Sequence, residues 1–353
     1  MNNYYDYAAS TPISKYVIEV MKPWETDNFA NPSSAHQAGR ASHNAIQQAR
    51  ELIAEKIGAL PSEIIFTSGA SEANNLALKG VAFKHLDSKG HIITSEIEHK
   101  CILNTCTFLE SIGFEVTYLA PDENGRISSD SVQKALRSDT ILISIHHVNN
   151  ELGTIQPIKE FGAIAFEYNI PFHTDAAQSF CKCDIDVDDM DIDMLSLSGH
   201  KIYGPKGVGA LYVRDARDSE LIPLIHGGGQ EAGLRGGTSP TPLIVGLAAA
   251  VESYPTQAHP IEKQFLDVIS QFNFTRNGGN SVVPTTWSVT FQTDEEVKRF
   301  TSDYPWLISQ GSACNALSNV ASHVLTAIGM SEEIARRTYR ISLPPYNSSE
   351  KLA

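Results

Sequence analysis

The chain has 353 residues, 42% of them hydrophobic, and a formal charge of -14. That length supports a large core and a soft expectation of two or three domains, while the acidic balance argues against direct binding to nucleic acid or an anionic membrane. No apolar run approaches the ~18 residues of a membrane span, and Met1-Asn2-Asn3-Tyr4-Tyr5-Asp6 has neither a basic start nor an apolar stretch, so we expect a soluble, unexported, cytoplasmic protein. Five cysteines, an odd number at irregular spacing, fit a reducing cytosol better than a disulfide framework.

In chain order, short β-branched runs predict strands at 64–67, 91–94, 114–119, 140–145, 170–174, 193–197 and 208–213. Amphipathic helical segments, such as 72–84 and 157–168, lie between several of them. Near-continuous apolar strands alternating with helices imply an α/β fold with a mainly parallel seven-stranded sheet covered on both faces. Beyond Thr241 the texture changes to an Ala-rich helix at 243–253 and weak strands at 287–292 and 306–309. We read 13–246 as a large domain, and 1–12 with 247–353 as a smaller α+β domain.

In such sheets ligands gather beyond the carboxyl ends of the strands. Residues 68–71, His99, Asn150, Asp175 and Lys201 all fall at that edge. Lys201 sits in Ser198-Gly199-His200-Lys201, just after a strand, and Asp175 ends the run Ile170-Pro171-Phe172-His173-Thr174. A lone lysine in a glycine-rich turn is ordinarily a solvated loop residue. A lysine and an aspartate at two strand exits are also the pair that pyridoxal phosphate needs: an amine for its aldehyde and a carboxylate to keep the ring nitrogen protonated.

Ile64-Ile65-Phe66-Thr67 runs into Ser68-Gly69-Ala70-Ser71 and a helix, a strand–glycine–helix pattern suited to a phosphate cup. By itself the pattern is shared with dinucleotide folds, but no Gly-Lys-Ser/Thr follows to make it a Walker loop. The glycine-rich stretches Gly227-Gly228-Gly229 and Arg235-Gly236-Gly237-Thr238 are either plain loops or donors to the same phosphate from a partner subunit. Six aspartates in residues 184–193 read as a solvated acidic loop, because Asp189 occupies the position where a calcium loop requires glycine. His146-His147 lacks a completing ligand set, so we expect packing and hydrogen bonding there and no metal site. Cys314, in Gly311-Ser312-Ala313-Cys314-Asn315, reads as an exposed loop thiol, and Cys101, Cys106, Cys181 and Cys183 as inert buried ones.

Taken together, the motifs resemble the NifS/IscS-type cysteine desulfurases, of the aspartate-aminotransferase-like fold (PLP fold type I). They are Asp6-Tyr7-Ala8-Ala9, Asn31-Pro32-Ser33-Ser34, Thr67-Ser68-Gly69-Ala70-Ser71-Glu72, Glu98-His99-Lys100, His147-Val148-Asn149-Asn150-Glu151, His173-Thr174-Asp175-Ala176-Ala177-Gln178-Ser179, Ser198-Gly199-His200-Lys201 and Gly311-Ser312-Ala313-Cys314. The resemblance implies that Lys201 forms the Schiff base with the cofactor, that Asp175 pairs with the ring nitrogen, and that His99 stacks on the ring and aids proton transfer. It further implies Gln178 at the ring oxygen, and Ala70, Ser71, Ser198, His200 and Thr238 of a neighbouring subunit at the phosphate. Asn150 and Arg340 would hold the substrate carboxylate, and Cys314 would accept sulfur from L-cysteine and pass it to an acceptor protein. A homodimer follows from the same resemblance.

The chain departs from the family pattern in carrying Ser71 where threonine is common and Gly236 where serine is common. Only 13 residues follow Arg340, from 341 to 353. That short form resembles the desulfurases of DNA phosphorothioation (SspA or DndA type), which would make the acceptor a DNA-acting protein. Other readings are a housekeeping sulfur donor for iron–sulfur clusters or tRNA thiolation, another enzyme of the same fold such as a selenocysteine lyase or aminotransferase, and a non-catalytic scaffold. The intact Lys201, Asp175, His99 and Cys314 set counts against a scaffold.

Overall fold

A computed structural model describes residues 3–255, 263–310 and 321–344. Two helices, α1 (Lys15–Thr26) and α2 (Gln37–Lys56), precede the large sheet, and Ser14 caps α1 by accepting the Val17 N–H. The sheet is built from β1 (Ile64–Thr67), β2 (His91–Ser95), β3 (Glu115–Leu119), β4 (Thr140–Ser144), β5 (Phe172–Asp175), β6 (Met194–Ser198) and β7 (Gly209–Val213). Each begins and ends within two residues of its expected span. The strand order is β1-β7-β6-β5-β4-β2-β3. Pairing is parallel from β6 through to β3, whereas β7 runs antiparallel to both β1 and β6. The sheet is therefore mostly parallel, as expected, with β7 the exception.

Helices α3 (Ala70–Lys84), α4 (Lys100–Ser111), α5 (Ser129–Ala135), α6 (Ile158–Glu167) and α7 (Thr241–Ser253) cover it. One face packs Ile53, Phe161, Phe172 and Tyr212 into a core with α7, and the other packs Leu76, Ile92, Leu109 and Leu142 beneath α3 and α4. Burial on both faces explains why these strands read as unbroken apolar runs rather than alternating ones. The boundary expected between 246 and 247 falls inside α7. Leu247 and Val251 pack into the large-sheet core with Ile244, because this apolar helix is buried along its length against that core.

After α8 (Lys263–Ile269), a second sheet, β8 (Phe274–Asn277), β9 (Thr286–Phe291) and β10 (Thr338–Ser342), is antiparallel with β9 central. Helices α9 (Asp294–Asp303), α10 (His323–Ala327) and α11 (Glu332–Arg336) complete the described elements. Phe265, Trp287, Val289, Phe291, Phe300 and Tyr5 form this sheet's core. The N-terminal arm joins it through bridges from Tyr4 to Leu307 and from Asp6 to Ser342. No strand forms at 306–309. Leu307 and Ser309 instead make single bridges in opposite directions, to the arm and to Arg340, so the segment splits its pairing between two neighbours.

Candidate active site

The carboxyl edge of the large sheet opens onto a cavity of about 430 Å³. β1 delivers the chain to Gly69, whose φ of 149° suits only glycine, and α3 starts immediately after it with no side-chain cap. The first-turn N–H groups of a helix have no intrahelical partner and carry positive partial charge, so this end is built to receive an anion. Ala70, Ser71, Ser198 and His200 line the same cavity. A Cβ on Gly209 would lie 2.7 Å from the Gly69 Cα, so glycine there is what lets β7 approach the cup.

Asp175 closes β5, with Oδ1 accepting the Ala177 N–H at 2.9 Å and Oδ2 accepting the Asn74 Nδ2–H at 2.6 Å. β6 then leads into a short 3-10 turn, Gly199–Lys201. Lys201 Nζ donates to the carbonyls of Ala8 and Ala9 at 2.6 and 2.8 Å. Burial, and then the positive charges of Arg340 and Lys182, lower its pKa to about 7. A neutral, nucleophilic amine is thus available near physiological pH. Gln178 is held from both ends, donating to the Ala8 carbonyl at 2.8 Å and accepting from Lys182 Nζ at 3.1 Å.

His99 caps α4, its Nδ1 accepting the Cys101 N–H at 3.2 Å. Arg340, on β10, reaches across with Nη1 donating to the Asn150 carbonyl at 2.9 Å, and both residues line the cavity. Lys201, Asp175, His99, Gln178, Ala70, Ser71, Ser198, His200, Asn150 and Arg340 therefore share one cavity. Thr238 is exposed and is not part of that wall. A Cβ at Gly236 would come 2.6 Å from the Gly227 nitrogen, so only glycine fits where the two loop segments touch. Cys314 lies outside the described residues.

Several groups at the site were given no role there by the sequence. Cys101 is not inert packing but part of the cavity wall, beside His99. Asn74 lies on α3 at a spacing any helix residue might occupy, and only the fold brings it to Asp175. Glu98 is fully buried and accepts from Ser95 Oγ at 2.6 Å and from His146 Nδ1 at 2.8 Å. Its carboxyl is held low by His146 and Ser95 although burial opposes this. His146 thus serves hydrogen bonding, as expected. No group of residues suited to a metal ion occurs among the described residues, and the acidic loop is engaged through Lys159–Asp189 and Arg214–Asp188 pairs.

These features fit pyridoxal phosphate. An uncapped helix start faces the cavity for a phosphate, a carboxylate anchored by Asn74 and Ala177 stands at its base for a ring nitrogen, and an amine of lowered pKa stands ready for an aldehyde.

Comparison with known proteins agrees. The family model for class-V aminotransferases matches residues 3–353. The cysteine desulfurase IscS of Dictyoglomus turgidum is 45% identical, covering 99% of this chain and 91% of the relative. That of Methanosarcina thermophila is also 45% identical, over 98% and 88%. Among solved structures, one described as SspA in complex with cysteine superposes with a TM-score of 0.95 at 69% identity, covering 98% of this chain and 99% of that one. DndA from Streptomyces lividans superposes with a TM-score of 0.80 at 37% identity, over 95% and 98%. The chain belongs to the class-V aminotransferase family and, within it, to the pyridoxal-phosphate-dependent cysteine desulfurases.

Proposed function

We propose that the chain takes sulfur from L-cysteine onto Cys314, releases L-alanine, and passes the sulfur to an acceptor protein of DNA phosphorothioation. The observation that carries the site assignment is the convergence of Lys201, Asp175 and Arg340 on one cavity. Pyridoxal phosphate, when bound, supplies an aldehyde that captures amines and a ring that draws electrons from the bonds of the captured amino acid. Asp175 would hold a proton on the ring nitrogen, Gln178 would meet the ring oxygen, and His99 would pack against the ring. Ala70, Ser71, Ser198 and His200 take the phosphate, with Thr238 of the neighbouring subunit in a homodimer.

Arg340 and Asn150 orient the cysteine carboxylate, and a guanidinium grips a carboxylate through two parallel hydrogen bonds that an ammonium cannot copy. Lys201, neutral above about pH 7, removes the Cα proton. The Cys314 thiolate attacks the substrate sulfur as the carbon–sulfur bond breaks. The bonding pair stays with carbon, which takes up a proton, so cysteine plus thiol becomes alanine plus persulfide.

The phosphorothioation assignment is supported by the 69% identity to SspA, well above the 45% to the IscS relatives. Those relatives favour the second reading, a housekeeping sulfur donor. With a charge of -14, contact with DNA falls to the acceptor rather than to this chain. No described helix is long and apolar enough to cross a membrane, and we propose a cytoplasmic location.

Two experiments test the reading. Cys314→Ser should keep the cofactor and bind cysteine but lose alanine and persulfide; alanine release at the wild-type rate would sink the persulfide mechanism. Incubation with 35S-cysteine and captured partners should label a DNA-acting acceptor, whereas label confined to an iron–sulfur scaffold would favour the housekeeping role.

A further inference from the structure

Behind His99 lies a hydrogen-bonded chain from three elements. Asn74 of α3 is fully buried, and its Nδ2 donates both to Asp175 Oδ2 at 2.6 Å and to Cys101 Sγ at 3.1 Å. Cys101 Sγ in turn lies 3.0 Å from His99 Nδ1, the atom that also accepts the Cys101 backbone N–H. An amide nitrogen has two hydrogens, so one Asn74 group serves both partners. The Cys101 sulfur therefore accepts from Asn74, with the Ser71 side chain as a further hydrogen-bond partner, and His99 Nδ1 at 3.0 Å is the acceptor for its own hydrogen. Burial, reinforced by the charge of Asp175, pushes the thiol up to about 12, so that hydrogen is retained through the neutral range. Two donors then point at Nδ1, and a neutral imidazole in that position carries its proton on Nε2.

We propose that Cys101, oriented by Asn74, is a positioning residue that fixes His99 in the Nε2–H tautomer and opposes its protonation at Nδ1. The proposal deepens the site assignment above and rests on His99 belonging to the reactive cavity. Protonating Nδ1 would set its new N–H against the thiol and backbone donors at once. The charged and titratable groups around His99 are Asp175 from β5, Lys201 from the turn after β6, Glu98 before it, and His323 from α10. Burial holds the imidazole below its ordinary value, Lys201 and His323 act in the same direction, and Asp175 and Glu98 oppose them. None of these charged groups is altered when Cys101 is replaced, and comparison of alanine with serine there separates loss of the donor from the change in burial.

The test uses holoenzyme labelled with 15N-histidine, read by long-range proton–nitrogen correlation between pH 5.5 and 8.5. Wild type should show His99 with a bare Nδ1 and a protonated Nε2. Cys101→Ala should raise the His99 titration midpoint by about half a pH unit or more, a roughly threefold gain in proton affinity. Cys101→Ser, which restores a donor, should return it towards wild type, and the acid limb of kcat for alanine formation should move in step. An unchanged tautomer and midpoint in Cys101→Ala, or a Cys101→Ser that behaves like alanine, would overturn the proposal. Loss of desulfurase activity in every form, with the nitrogen shifts moving as stated, would instead count against the functional reading alone.

Discussion

Arg340 Nη2 stands 2.7 Å from Asp6 Oδ1, although 334 positions separate the two residues in the chain. The pair joins the N-terminal arm to β10, and the Arg340 side chain is only 3% exposed. The same guanidinium holds the Asn150 carbonyl and, at 3.3 Å, Ser309 Oγ, while its Nε has no hydrogen-bond partner among the described residues. Three of the five guanidinium N–H groups are thus engaged and two are left, the number that a two-pronged grip on a carboxylate would need.

Replacing Arg340 by lysine should therefore raise KM for cysteine by about 10–100-fold, because a point charge cannot reproduce the two-pronged grip. Steady-state alanine formation measures it, and a KM within twofold of wild type would remove Arg340 from the substrate site.

The lowered pKa of Lys201 sets a pH dependence with a definite sign. The amine is charged below about 7 and neutral above it, because burial and the neighbouring Arg340 and Lys182 disfavour the cation. Cofactor uptake by cofactor-free protein should rise about tenfold per pH unit up to that point and level off by about pH 8. Absorbance at a series of pH values follows it. Lys201→Arg should leave no lysine that borohydride can fix to the cofactor.

Arg50 holds the loop that leads to Thr238. Its guanidinium grips both carboxylate oxygens of Glu231 at 2.8 and 3.0 Å, and Glu231 Oε2 also accepts the Phe66 N–H at 2.9 Å. Glu231 and Ala232 adopt φ values of 47° and 55°, which these residue types rarely do, so the pair stabilises an otherwise unfavourable turn. Arg50→Ala strands a carboxylate whose side chain is 4% exposed. We expect a loss of about 3–5 kcal/mol in urea unfolding, with weaker cofactor retention as the loop relaxes.

Acid stability is set by buried neutral histidines. Burial lowers His147 and His173 from 6.5 to about 4, and His173 is locked between Ser144 Oγ at 2.8 Å and Ser196 Oγ at 2.9 Å. Between those pH values the unfolded chain binds protons that the folded chain refuses, so stability is complete above about 6.5 and drains as pH falls towards 4. His173→Gln should shrink the fall in Tm between pH 6.5 and 4.5 relative to wild type, and an equal fall in both proteins would contradict this assignment.

By itself the sequence determined the strands of the large sheet and the positions of Lys201, Asp175 and the Gly69 cup. Those signals are local: an apolar β-branched run ends, a glycine permits a turn, and a reactive side chain stands at the exit. The tertiary structure alone decided that β7 runs against its neighbours, that α7 belongs wholly to the large core, and that 306–309 divides its pairing instead of forming a strand. It also decided which distant residues meet, namely Arg340 with Asp6, Arg50 with Glu231, and Asn74 with both Asp175 and Cys101. Hydrophobic periodicity records which face of an element is buried and says nothing of what lies across from it. That depends on strand order and helix packing, so Lys201 was legible from one stretch of chain, whereas the contacts that hold the neighbouring histidine were not.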